Sequence, residues 1–174
     1  MKIYISADME GVAGVVNDAQ LDPEGFDYDR ACELYTDEVL AVIAELHKAG
    51  ATEITVSDSH GTGLNLRAER FPKGVRLVRA WPRRLGMMEG IDRSFDGAIL
   101  LGYHSGSHNP RGVRAHTMSS ANVFELALNG KLVCEAELSA FLAGHFEPST
   151  RRSGNWNSSL RVSAVSIAKS EYLR

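Results

Sequence analysis

Asp8 and Glu10 lie two apart, directly after a short apolar run, in the stretch Ile3-Tyr4-Ile5-Ser6-Ala7-Asp8-Met9-Glu10-Gly11. Side chains of an extended backbone alternate with a period of two, so both carboxylates face one side if the strand runs one step further. They then form an oxygen clamp for a cation. His60, in Asp58-Ser59-His60-Gly61, and His104, in Gly102-Tyr103-His104, each follow another apolar run, and Glu135 opens a helical segment. Three carboxylates and two imidazoles form an N/O donor set suited to zinc, manganese or cobalt, and the lack of paired cysteines argues against a structural zinc site. Two ions sharing one carboxylate, with Asp8 as the bridge, would use all five donors and leave room for water, at the separation of roughly 3.5–4 Å found in co-catalytic hydrolases. Each residue alone has a plainer reading, as a helix cap, a solvated loop carboxylate or a hydrogen-bonded structural histidine. Joint placement at several strand ends favours the site, while spacing alone leaves both readings open.

The elements that must position these residues can be read in order. Ile3–Ile5 is a strand. Asn17–Gly25 is a polar surface loop able to wall a site. From Asp27 to Lys48 apolar residues recur at three and four, the pattern of an amphipathic helix with Asp27 as N-cap, His47 and Lys48 at its negative end, and Gly50 beyond. Glu53–Ser57 is a β-branched strand, so a right-handed βαβ unit is expected. Leu64–Phe71 and Pro82–Met88 are expected as short helices and Val75–Val78 as a strand. Gly97–Leu101 is a continuous apolar run, a strand covered on both faces. Asn129-Gly130 marks a type I′ hairpin between 122–128 and 131–133. Glu135–Ala143 is helical, and Leu160–Ala168 fits either a strand or a helix. The fold class is α/β, a mainly parallel sheet flanked by helices in a Rossmann-like three-layer arrangement, with a β-hairpin insertion. In such sheets chemistry gathers at the carboxyl ends of the strands.

The chain has 174 residues, enough for one domain of ordinary size, with a formal net charge of -3, 24% charged and 44% hydrophobic residues. That balance suggests no nucleic-acid or anionic-membrane partner. No apolar run reaches the roughly 18 residues of a membrane span, and Met1-Lys2-Ile3 is no signal peptide, so a cytoplasmic location is expected. Cys32 and Cys134 are expected to be reduced. Gly11 and Gly14 lack the third glycine of a dinucleotide fingerprint and fit a plain turn. Arg79, Arg83 and Arg84, or Arg151 and Arg152, are candidates to grip a peptide carboxylate, although such runs are usually solvated faces. Asp58 is expected to orient His60 or cap the next segment, and His108 is a loop residue.

Five stretches, Ser6-Ala7-Asp8-Met9-Glu10-Gly11, Asp58-Ser59-His60, Leu101-Gly102-Tyr103-His104, Ala115-His116-Thr117-Met118 and Val133-Cys134-Glu135, resemble in order and spacing the D-aminopeptidase family of bacterial dipeptide operons, the DppA-type M55 metallopeptidases. The resemblance covers about Met1 to Gly144. It implies that Asp8, Glu10, His60, His104 and Glu135 bind two zinc ions per chain, with Asp8 between them, and that His116 is a further catalytic residue acting as acid, base or nucleophile. A loop histidine orienting a ligand is the plainer reading of His116. The resemblance also implies release of N-terminal D-amino acids, typically D-alanine, from short peptides, and homo-oligomeric rings.

Beyond Gly144 the sequence departs from the family, which continues with another apolar strand and a second α/β domain. Residues 145–174 are polar and aperiodic at first, so 1–144 is expected to be the metal-binding catalytic domain and 145–174 an irregular, poorly ordered tail. The C-terminal domain of the family is expected to be missing. A dinuclear amidase or phosphoesterase of other specificity, and a non-catalytic metal-binding remnant, are the competing functions.

Overall fold

The computed structural model describes residues 1–146 and, as backbone, the strand 161–165. Its elements are β1 (Lys2–Ala7), α1 (Tyr28–Lys48), β2 (Glu53–Asp58), β3 (Val75–Val78), β4 (Gly97–Leu101), β5 (Ala127–Leu128), β6 (Lys131–Leu132), α2 (Glu135–His145) and β7 (Arg161–Val165). Five of the strands form one parallel sheet in the order β3-β2-β1-β4-β7, and β5 and β6 make a separate hairpin. The chain builds outward from β1 through β2 to β3, then returns to place β4 on the other side. The boundary between β1 and β4 is therefore the switch point where ligands of such sheets bind.

Alternation sorts each strand between two cores. Ile3, Ile5 and Ala7 of β1, with Ile54 and Val56 of β2, pack against Ala31, Tyr35, Val39 and Ile43 of α1. On the opposite face Tyr4, Ala98 and Leu100 meet Met88, Ile91, Phe95 and Ala143 of α2. Burying each large side chain contributes about 1.5–3 kcal/mol, which is how an amphipathic helix is fixed to its sheet. Within that second face Ser6 Oγ lies 2.7 Å from the Tyr103 hydroxyl and 2.9 Å from Ser59 Oγ, and donates to the Met87 carbonyl at 2.8 Å. This hydroxyl cluster ties the ends of β1, β2 and β4 together just below the site.

The expected strands and both long helices are present, and the described part of Leu160–Ala168 is the strand β7. Two expected helices are not. Over Leu64–Phe71 only Ala68–Arg70 makes a helical turn, because Asp58 and Thr36 side chains take the N–H groups of Asn65, Leu66 and Arg67. Over Pro82–Met88 only Gly86–Met88 does, since Arg83 folds back on the Val78 and Ala80 carbonyls and Glu89 takes the Leu85 N–H. Asp27 occupies the N-cap position of α1 without capping it, its carboxylate accepting from Gln20 Nε2 at 3.0 Å. The hairpin turns at Asn129 and Gly130, both at positive φ, but its strands are two residues each. Most of the expected tail lies outside the described residues. Among the described residues no helix is long and apolar enough to cross a membrane.

Candidate metal centre

The register places three strand ends level, with Ala7 opposite both Asp58 and Leu101. Asp8 and Glu10, His60, and His104 therefore leave the sheet at one edge. Their approach is unusually close. Asp8 N–H donates to the Leu101 carbonyl and Gly11 N–H to the Gly102 carbonyl at 2.7 Å, and a Cβ on Gly11 would stand 2.3 Å from the Tyr103 carbonyl oxygen. Only glycine fits there.

Three other segments complete the site. The loop after β4 brings His116 back so that its ring stacks on His104, with centroids 3.8 Å apart and planes 9° from parallel. Helix α2 begins at Glu135, whose Oε1 lies 3.2 Å from His104 Nε2 and 3.7 Å from His116 Nε2. The loop before α1 supplies the Leu21 carbonyl, 3.4 Å from His60 Nε2. That loop walls the site as its polarity suggested.

Asp8 faces two ways, with Oδ1 3.5 Å from His60 Nδ1 and Oδ2 3.7 Å from His104 Nε2. Glu10 Oε2 lies within 3.6 Å of all three imidazoles. Two donor triads result, Asp8-Glu10-His60 and Glu10-His104-His116, with Glu10 common to both. The structure thus gathers all six residues singled out by sequence, with His116 Nε2 3.4 Å from Glu10 Oε2.

The hydrogen bonds behind the rings fix their tautomers. His104 Nδ1 faces the Ser105 carbonyl at 2.9 Å, His116 Nδ1 the Arg114 carbonyl at 2.9 Å, and His60 Nε2 the Leu21 carbonyl. A carbonyl only accepts, so those nitrogens carry the hydrogen and a neutral ring turns its other lone pair toward the carboxylates. Lone pairs facing carboxylates repel unless a cation stands between. Asp8 Oδ2 and His104 Nε2 are buried without a hydrogen-bond partner among the described residues. Orphaned acceptors of this kind in a nearly dry site fit a divalent ion.

Without a metal the same crowding acts on protons. Burial opposes a charged His60, yet the Asp8 and Glu10 carboxylates outweigh it and raise its pKa to about 10. For His104, burial is outweighed by Glu135 and Asp8, raising it to about 9. Burial, reinforced by the neighbouring Glu10 charge, pushes Asp8 up, whereas Glu10 and Glu135 are held low by the imidazoles despite their burial.

Some features were not read from sequence. Asn65 donates to Asp58 Oδ1 and to the His60 carbonyl, both at 2.8 Å, so Asp58 positions His60 through Asn65 rather than by touching its ring. Arg114 reaches Glu10 Oε1 at 3.8 Å and Asp18 Oδ1 at 2.6 Å. Its one signal was its place two residues before His116. Arg83, a candidate to grip substrate, is buried and spent on Ser57 Oγ and two backbone carbonyls.

Comparison with known proteins agrees with this architecture. The chain is 36% identical over 147 residues to a D-aminopeptidase of Bacillus subtilis (strain 168), over 84% of this chain and 53% of that protein. A solved structure described as Zn-dependent D-aminopeptidase DppA from Bacillus subtilis, a self-compartmentalizing protease, matches with a TM-score of 0.78 at 36% identity, again over 84% and 53% of the two chains. The chain thus spans about half the length of the relative it matches. The M55 peptidase family model, described as D-aminopeptidase, matches residues 1–149. With its matching sheet and its level strand ends, the chain belongs to the D-aminopeptidase family.

Proposed function

We propose that residues 1–144 form the catalytic domain of a zinc aminopeptidase that releases N-terminal D-amino acids, D-alanine-type, from short peptides in the cytoplasm. The observation that carries this reading is the convergence of three imidazole lone pairs on three carboxylates at the β1/β4 switch point, with Asp8 Oδ2 and His104 Nε2 left without a hydrogen-bond partner among the described residues. Asp8, Glu10 and His60 would hold one zinc, and His104 and Glu135 with Glu10 the second, Asp8 lying between. Bound ions supply Lewis acidity there, lowering the pKa of water and polarising the scissile carbonyl.

The chain's own groups do the rest. His116 is held by the Arg114 carbonyl so that Nε2 faces the cluster, where it takes or returns the proton that the departing amine needs. The loop carrying Leu21 and the ring stack of His104 and His116 limit water around the reacting bond. The relative's self-compartmentalizing assembly supports a homo-oligomeric ring for this chain as well.

Metal content and turnover of D-alanyl and L-alanyl dipeptides, measured on one preparation, test the reading. About two zinc ions per chain and cleavage of the D-isomer are expected. Two ions without cleavage above that of a His104→Ala chain would establish a metal-binding remnant, and cleavage of a phosphodiester instead would establish a different hydrolase.

A further inference from the structure

Among the described residues Arg114 is the guanidinium that reaches the donor cluster, and the hydrolytic reading leaves its side chain without a task. Its Nη2 lies 3.8 Å from Glu10 Oε1, the oxygen opposite the one that faces the imidazoles. Its Nε is buried with no acceptor among the described residues. Its backbone is left-handed, at φ 54, which is uncommon for a residue with a side chain. That conformation accompanies the carbonyl contact to His116, and backbone held in so sparsely populated a region points toward function.

We propose that Arg114 determines specificity by binding a carboxylate on the residue that follows the scissile bond. The proposal rests on the hydrolytic reading of the site. Glu10 stands between the guanidinium and the imidazoles, its Oε1 3.8 Å from Arg114 Nη2 and its Oε2 3.4 Å from His116 Nε2. An extended peptide advances about 3.3–3.6 Å per residue, so a bond lying over the triads puts the next residue's charged group beside Arg114. A guanidinium recognises a carboxylate with two parallel hydrogen bonds, stronger than those between neutral groups. Its present partner Asp18 has a side chain 85% exposed, so that carboxylate can leave the guanidinium for water at little cost. An incoming substrate carboxylate displaces Asp18 and takes its place. The carboxylate comes from the peptide's own C-terminus or from an acidic side chain.

Three uncleavable probes with CH2–NH in place of the scissile amide separate these sources: D-alanyl-glycine with a free carboxylate, its terminal carboxamide, and D-alanyl-glutamate α-amide, which keeps only the side-chain carboxylate. Binding is measured by calorimetry on the zinc-loaded full chain. A carboxylate-bearing probe is expected to bind about tenfold or more tighter than the carboxamide, because a hydrogen-bonded charge is gained. Preference for the first probe assigns the terminal carboxylate, and preference for the third the side chain. Arg114→Met should abolish the preference and Arg114→Lys should restore part of it, while Asp18→Asn should tighten the carboxylate probe alone. Equal binding of all three probes by the unaltered chain overturns the proposal. So does a carboxylate probe unaffected by Asp18→Asn, or a preference that survives Arg114→Met. Preference without cleavage of D-alanyl peptides defeats the peptidase reading and leaves Arg114 its role; cleavage without preference does the reverse.

Discussion

Asp58 illustrates how much of the site depends on residues that never face the cluster. It is fully buried at the end of β2 and accepts from Asn65 N–H at 2.6 Å, Leu66 N–H at 2.8 Å and the Asn65 amide at 2.8 Å. Replacing it with Ala strands those donors, each costing about 1–3 kcal/mol when buried and unpaired. Since one donor also holds the His60 carbonyl, Asp58→Ala is expected to lower the urea midpoint and to weaken metal binding on the His60 side. Unchanged stability would show the network to be dispensable. The donors themselves should fail differently. Glu10 joins both triads and His60 only one, so Glu10→Ala should lose essentially all metal, whereas His60→Ala should keep about one ion per chain by elemental analysis. His116→Ala should keep both, because Glu135 and Asp8 also face His104, yet lose about 10²- to 10⁴-fold in turnover if the ring moves a proton. Loss of an ion instead would make His116 a ligand.

At the scale of elements, close approach of β1 and β4 is the requirement that the sequence least advertises. Gly11 looked like a turn residue, and its conformation was never the constraint. The constraint is a backbone crossing, with the Tyr103 and Gly102 carbonyls 2.3 and 2.6 Å from where a Cβ would stand. Gly11→Ala is therefore expected to cost about 1–3 kcal/mol, the usual range for overpacking, and to spread Asp8 from His104. A thermal melt paired with a zinc titration checks both effects. Elements that satisfy their own hydrogen bonds were legible: the 3.6 period of α1, the apolar runs of β1, β2 and β4, and the Asn129-Gly130 turn all announce themselves locally. Segments 64–71 and 82–88 depart from the expected helices for the opposite reason. Their backbone donors are taken by Asp58, Thr36 and Glu89, and no local pattern reveals a side chain arriving from elsewhere in the chain or turning back on its own loop. The same distinction divides the site. Carboxylates and histidines at strand ends could be found from the pattern, but Arg114 depends on a left-handed loop residue and Asn65 on a loop folded onto a buried carboxylate.

For the whole molecule, a metal held by this cluster would compete with protons for the same side chains, which ties stability to pH with a definite sign. His60 and His104 have folded pKa values raised to about 10 and about 9 from an ordinary value of 6.5. A raised value means that the metal-free fold binds protons more tightly than the unfolded chain. Its stabilisation is complete below about pH 6.5 and disappears as pH rises through 9 to 10. Bound metal needs both rings deprotonated and so must displace those protons. Zinc affinity is then expected to strengthen from pH 6 toward pH 9, by up to about 1.4 kcal/mol per pH unit for each ion, since each displaces the proton of one ring. Free zinc about 1,000-fold above Kd should stabilise the loaded chain by about 4 kcal/mol per site. Melting curves with zinc and with a chelator, taken across that pH range at fixed free zinc, should diverge as pH rises: the chelated chain falls toward pH 9 to 10 while the loaded chain gains on it. A gap that stays constant with pH would mean that zinc binds without displacing protons from His60 and His104, and the cluster would then not be the site that holds it.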